Sequence, residues 1–329
     1  MVRSTVFAHL NMAPEEAGGG GRGRVLSRLG TFAEMIVGPL NMRPTSAAIV
    51  AADDERVELR VSTAGSHVLV VIAAEGDLAA EVFFLRSLAL KQLPAPRLIA
   101  HDLSCSQVPY SWAVLGHVPG RPLSEVLDDS LVRLAARQVG RALRRAHQLE
   151  APGFGRPQTT GRWPRRDWRE TLGIWMARRN AQVLAAELLG AERASALWQA
   201  TADHPDLACE VPRVLHGALG PERVIVTSAD RSVHLEALVR PGEIVGGDPL
   251  FDLALGLLPR QPEAFRRGLL EGYIAAGPLD REQERRLRRF RLLARVVDAL
   301  AAGSPADLAA LSSTLDEELA ALGEAGAAG

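Results

Sequence analysis

The sequence predicts an α+β chain of two lobes, a small antiparallel β-sheet lobe followed by a larger, mostly helical one. Three observations carry this. Three short β-branched runs crowd into residues 47–73 with turn residues between them. After Pro122 the apolar residues fall at helical spacing for most of the remaining chain. The segment Pro119-Gly120-Arg121-Pro122 punctuates the change between the two regimes.

Residues 1–24 end in the run Gly18 to Gly21 and are expected to form a loosely ordered leader. The sheet lobe is expected over residues 25–118. It opens with a helix, because Val25, Leu29, Phe32 and Ile36 recur at helical spacing over 24–37. The runs AAIVA (47–51), VELRV (57–61) and HVLVVIA (67–73) then form a meander. Asp53-Asp54 and Ala64-Gly65-Ser66 separate them. A helix over 78–90 is closed by Leu93-Pro94-Ala95-Pro96, and strands follow at 97–101 and 111–117. The helical lobe is expected over 119–329. Its helices fall at 123–128, 131–149, 168–189, 191–202, 262–275, 280–302 and 305–322, around one β-rich island at 213–246.

Composition narrows the function classes. Hydrophobic residues make up 47% and charged residues 23% of 329, which excludes a disordered chain, a collagen and a coiled-coil rod. The net charge of −1 supplies no global basic field for nucleic acid. No apolar run approaches the ~18 residues of a membrane span, and the first residues are too short an apolar stretch for a secretory signal. Cys105 and Cys209 stand far apart with no metal-type spacing, so a reducing, cytoplasmic setting is expected. Lys91 is the only lysine; every other Lys/Arg position is Arg.

Six phrases stand in order: the segment opened by Glu81, LPAPRLIAHD (93–102), WAVLGHVPGRPL (112–123), RRAHQLEAPGFGR (144–156), VLHGALGPERVIV (214–226) and GGDPLFDLA (246–254). In this order the chain resembles the aminoglycoside phosphotransferase family, a branch of the protein-kinase-like fold, over roughly residues 45–325. The resemblance implies ATP-dependent phosphoryl transfer, which uses a clamp on the nucleotide phosphates, carboxylate-held Mg²⁺ and a carboxylate to orient the acceptor hydroxyl.

Carried over residue by residue, the resemblance implies a degenerate loop at 214–254. The acceptor-orienting Asp would follow His216-Gly217, where Ala218 stands, and the metal-binding Asn would stand at Arg223. The second metal carboxylate, eight residues before Asp248, would stand at Arg240. Ala has no polar side-chain atom and Arg cannot ligate a cation. The strand HVLVVIA, where the clamp lysine belongs, has no Lys or Arg, and the nucleotide-loop region at 41–48 has no Gly. His216, Asp248, Asp252 and Glu81 are retained, and the family uses the first two to support the loop backbone. Asp248 is therefore expected to accept hydrogen bonds from backbone near His216. Arg223 and Arg240 are expected to lie together in the inter-lobe cleft, with Glu81, Asp248 or a bound anion beside one of them.

Several residues keep two readings. Glu81 either pairs with an Arg of the sheet lobe or points to water. Glu236 or Glu243 is either a displaced metal ligand or a surface residue, and Glu222 either a substitute base or a partner of Arg223. Arg162, Arg165 and Arg166, with Trp163 among them, either receive an anionic peptide or partner protein, or form a solvated helix start with Trp168 in the core. His117, His147 and His216 show no ligand spacing and read as structural. The seven Arg of 281–295 alternate with acids and read as a solvated helix face.

The leading expectation is a catalytically inactive pseudokinase without a cofactor or metal. It would bind a protein or peptide partner, for instance a natural-product or peptide-modifying enzyme, or an anion in the cleft. The alternatives are an active phosphotransferase using ATP and Mg²⁺ through Glu222, Glu236, Glu243 or Asp248, and a protein that sequesters a small molecule.

Overall fold

β-Branched strands and a short run of helices build the first of two units in this computed structural model, which describes residues 6–327. This unit runs to Pro119 and takes in Pro157–Arg162; the second holds Gly120–Arg156 and the chain from Trp163. The first unit contains α1 (Pro14–Ala17), α2 (Gly20–Leu26), α3 (Leu29–Val37), β1 (Pro44–Ala52), β2 (Arg56–Thr63), β3 (His67–Ala73), α4 (Ala79–Leu90), β4 (Leu98–Asp102) and β5 (Trp112–Gly116). The strands form one sheet in the order β1-β2-β3-β5-β4, with every neighbouring pair antiparallel. Val57, Leu59 and Val61 alternate along β2 and bury one face with Val68, Val70 and Ile72 of β3.

The flexible leader expected over 1–24 is corrected for its described part, residues 6–24; residues 1–5 lie outside the described residues. Phe7, Leu10, Ala17 and Val25 are buried in that same core. The end of the glycine run, and Gly23 beyond it, serve close approach. A side chain at Gly21 would overlap the carbonyl of Ala74, just past β3, and one at Gly23 would overlap the carbonyl of Gly18. The segment at 41–48 is also corrected. Most of it is β1, and the β1–β2 turn is Asp53-Asp54-Glu55, fastened by Asp53 Oδ1, which accepts from the amides of Glu55 (3.1 Å) and Arg56 (2.8 Å).

The second unit contains β6 (Arg121–Pro122), α5 (Asp129–Ala146), α6 (Trp168–Ala177), α7 (Ala181–Leu189), α8 (Ala191–Ala200), β7 (Arg213–Val214), β8 (Val224–Ala229), β9 (Ser232–Leu238), β10 (Gly246–Gly247), α9 (Pro249–Gly256), α10 (Glu263–Ile274), α11 (Arg281–Ala302) and α12 (Pro305–Ala327). Strands β6-β8-β9 form one small sheet and β7-β10 another. The helix expected over 168–189 is two helices, broken at Asn180, which takes a left-handed conformation (φ 51°). The helix expected over 123–128 is a single 3₁₀ turn, Leu123–Glu125.

Aromatic edges fill the core of this unit. Trp168 is 1% exposed and packs edge-on against Phe251 (5.4 Å between ring centres) and Phe290 (6.3 Å), while Trp175 meets Phe251 at 5.1 Å. Helices α5 and α10 touch backbone to backbone. Side chains at Gly140, Gly268 or Gly272 would overlap carbonyls of the facing helix. That close approach sets the position of His147, the residue that ends α5, against Tyr273 of α10.

Candidate active-site loop

The loop is positioned by the pairing of β7 with β10, which sets Val214 opposite Gly246. The amide of Leu215 donates to Val245 O (3.0 Å), and that of Gly242 donates to His216 O (2.7 Å). Gly217 has φ 74°, and a side chain there would overlap the carbonyl of Ile244, so only glycine fits.

Asp252 anchors the turn from α9. It is fully buried, and its two oxygens accept from the amides of His216 (2.6 Å) and Gly217 (2.8 Å). Its Oδ2 also meets His147 Nε2 (3.1 Å), whose Nδ1 meets the Tyr273 hydroxyl (2.9 Å). Burial pushes the Asp252 carboxyl up, but the His147 hydrogen bond, the nearby histidines and the backbone donor more than offset it, so its pKa lies below the ordinary value. His216 is fully buried beside it and its Nε2 meets Val239 O (3.1 Å). Burial lowers its pKa to about 4, with Arg223 acting in the same direction.

The role expected of Asp248 belongs to Asp252. Asp248 instead caps α9, accepting from the Leu250 amide (2.8 Å), and forms an ion pair with Arg286 of α11. Burial holds its carboxyl above the ordinary range, against the pull of Arg286.

Arg223 and Arg240 do come together. The β8–β9 ladder sets Val224 opposite Leu238, and the Val239 amide donates to Arg223 O (3.0 Å). The Arg223 guanidinium then donates to the main-chain carbonyl of Arg240, a residue at φ 53°. Ala218 presents a methyl group toward Gly242. Of the other acids, Glu222 approaches Arg223 Nε (3.6 Å) and Glu236 accepts from the Thr227 hydroxyl (2.6 Å). Glu243 is paired with both Arg178 and Arg179. Burial raises the Glu243 carboxyl, yet these two guanidiniums bring it below its ordinary value.

The acids expected beside Arg223 or Arg240 pair with other cations: Asp248 with Arg286, and Glu81, in the first unit, with Arg56. Glu81 is held bidentately by Arg56, Nη1 to Oε2 at 2.8 Å and Nη2 to Oε1 at 3.2 Å, and Arg56 Nε lies 3.0 Å from Glu58. Burial lowers the Arg56 pKa, but the two carboxylates reverse that and hold it above its ordinary value. The expected pairing of Glu81 with an Arg of the sheet lobe is thus met; the cation stands on β2, whereas the family position for the clamp lysine is on β3. Arg56 stands directly opposite Ala73 in the β2–β3 ladder, and its spacing of two from Glu58 was the available signal.

The basic-aromatic cluster spans the boundary of the two units. Arg162 is exposed in the first unit, whereas Trp163, Arg165 and Arg166 belong to the second. Trp163 covers Gly153 and Gly246, and Glu170 takes both the Arg165 guanidinium (3.6 Å) and the Arg166 amide (2.9 Å). Among the described residues no helix is long and apolar enough to cross a membrane.

The model of the phosphotransferase enzyme family (APH) matches residues 50–287. No curated protein matches the chain. Among solved structures, aminoglycoside phosphotransferase APH(4)-Ia aligns at TM-score 0.59 and 16% identity, over 88% of this chain and 97% of its own. A fructosamine-3-kinase described as putative, from Haemophilus somnus 129PT, aligns at TM-score 0.58 and 15% identity, over 88% and 96%. Macrolide 2'-phosphotransferase MphH from Brachybacterium faecium aligns at 0.54 and 17%, over 85% and 96%. A sheet unit with a Glu-bearing helix, a helical unit whose His-Gly turn hangs on a buried aspartate, and a family match across most of both make this chain a member of the APH phosphotransferase family, with its kinase-like fold.

Proposed function

We propose that this chain is a non-catalytic member of the family, a pseudokinase that binds a partner without transferring phosphate. One observation carries the reading: the Arg223 guanidinium is fastened to the carbonyl of Arg240. Under the family resemblance both positions belong to metal ligands. A permanent cation held there repels Mg²⁺ and cannot coordinate it.

The residues at the implied nucleotide and metal positions do not fit Mg²⁺-ATP. Ala218 offers no acceptor for a substrate hydroxyl. The β1–β2 turn carries Asp53, Asp54 and Glu55, three acids and no glycine, where close backbone approach to phosphate favours glycine. A transferase working through displaced carboxylates is the competing reading, and Glu222, Glu236, Glu243 and Asp248 are each engaged by a neighbouring cation or hydroxyl. The favoured partner is a protein or peptide with acidic groups, in a cytoplasmic setting, with Arg162, Arg165 and Arg166 among the cations available to it.

Thermal unfolding with ATP, with and without Mg²⁺, tests this. A ligand at 100 times its Kd stabilises a protein by ~2.7 kcal/mol, which is several degrees here. The expected result at millimolar ATP is no Mg²⁺-dependent shift. A shift of several degrees that requires Mg²⁺ overturns the proposal in favour of an active phosphotransferase.

A further inference from the structure

A cavity of about 270 Å³ opens between α9, α11 and α12, and of its lining residues Ala254 of α9 alone falls within 214–254. Its walls are apolar: Leu257 and Leu258 just past α9, Leu292 of α11, and Ala321 and Leu322 of α12. Its polar edge is cationic. Arg288, Arg291 and Arg295 recur at intervals of three and four along α11, on one helical face.

These cations are not equally engaged. Arg295 holds Glu318 (Nη1 to Oε1, 2.6 Å), the one acid lining the cavity. Among the described residues, Arg288 and Arg291 make neither an ion pair nor a side-chain hydrogen bond. Positive charge is in surplus. Burial, and then Arg266 and Arg295, hold the Arg291 guanidinium below its ordinary pKa, with Glu318 the only opposing influence. Like charges gathered at the rim of an apolar hollow repel until an anion sits among them.

We propose that this cavity is a binding site for an amphiphilic anion, a single-chain carboxylate whose hydrocarbon body lies against Leu257, Leu258 and Leu292 and whose head is held by Arg288 and Arg291. The two parts of the ligand follow from the two parts of the site. Guanidinium forks match a planar carboxylate in two-pronged geometry. Apolar walls gain from covering a chain at roughly 25 cal/mol per Å² removed from water. The volume lies at the small end of ligand pockets, which selects one medium-length chain over a two-chain lipid. This site is independent of the pseudokinase reading.

Isothermal titration with sodium decanoate below its micelle concentration tests the site. Acetate and inorganic phosphate serve as heads without a chain, and decyltrimethylammonium as the same chain with the opposite charge. Decanoate is expected to bind one per chain, at least tenfold tighter than any of these. The double variant Arg288→Gln/Arg291→Gln, which removes no ion pair or side-chain hydrogen bond among the described residues, is expected to keep the parent melting profile and bind decanoate at least tenfold more weakly. Ala321→Trp, which fills the mouth, is expected to abolish binding. No decanoate binding by the parent overturns the proposal. So does equal binding of the cationic amphiphile, or unchanged affinity in the double variant.

Discussion

His216 and Asp252 show how burial and neighbouring groups together decide protonation. The Nε2–H of neutral His216 donates to Val239 O, and its complete burial disfavours the charged imidazolium. Its folded pKa of about 4 lies below the unfolded value of 6.5. Between these values the unfolded chain binds the proton and the folded chain does not, so stability falls as pH drops from about 6.5 to 4, by ~3 kcal/mol over the window. Asp252 acts in the same direction lower down. Its depressed carboxyl contributes stability above pH 3.8, lost only as pH falls further. Urea midpoints at pH 7, 5.5 and 4.5 check this. The parent is expected to lose stability steadily, and His216→Asn, which keeps a donor for Val239, to lose distinctly less. Equal slopes for the two would assign the pH dependence elsewhere. At this scale Asp252 and Asp248 were both legible as retained support residues, but their roles were not. Only the three-dimensional direction of α9 shows that Asp252 reaches the His-Gly turn while Asp248 faces Arg286.

Between elements, the tie that matters in the first unit joins β2 to α4. Arg56 and Glu81 are each under a tenth exposed. Removing one partner from such a pair leaves a buried charge uncompensated, at a cost of ~3–5 kcal/mol, whereas replacing both with apolar residues of similar volume is close to neutral. Arg56→Met alone is therefore expected to destabilise by about that amount, and Arg56→Met with Glu81→Met to be more stable than the single variant. Chemical denaturation of the three proteins measures the coupling, and strictly additive losses would show that the two side chains do not depend on each other. Sequence patterning supplied every strand of this sheet, with β3 to the residue and β1 and β2 too short, because β-branched runs between turn residues are a local signal. It could not supply Arg56 as the partner of Glu81, because cross-strand register is not local. The glycine run at 18–21 misled for the same reason: in composition it reads as a linker, and only the proximity of Ala74 shows a packing role.

For the whole molecule, phosphoryl transfer places separate demands on the two units, and this divides what one lobe can repair. The motif order identified the family and the kinase-like fold because six phrases at their expected separations constrain a topology more than any one does. It left the partner chemistry open, since exposed arginines have no spacing that names a ligand. Reinstating the family pattern in the helical unit, with Ala218→Asp, Arg223→Asn and Arg240→Asp together, returns an acceptor-orienting carboxylate and two metal ligands on paper. It leaves β3 without Lys or Arg, Glu81 bound to Arg56, and three acids in the β1–β2 turn. On the proposed non-catalytic reading, phosphate then meets no lysine clamp and no glycine-borne backbone approach, so that side lacks electrostatic stabilisation that phosphoryl transfer depends on. The triple variant is expected to hydrolyse no ATP above background and to show no Mg²⁺-dependent melting shift with nucleotide. Loss of the Arg223 contact to the Arg240 carbonyl should lower its melting temperature by a few degrees. Measurable Mg²⁺-dependent ATPase activity in the triple variant, absent from the parent, would mean that the first unit can already hold nucleotide and that the three positions of the loop decide activity.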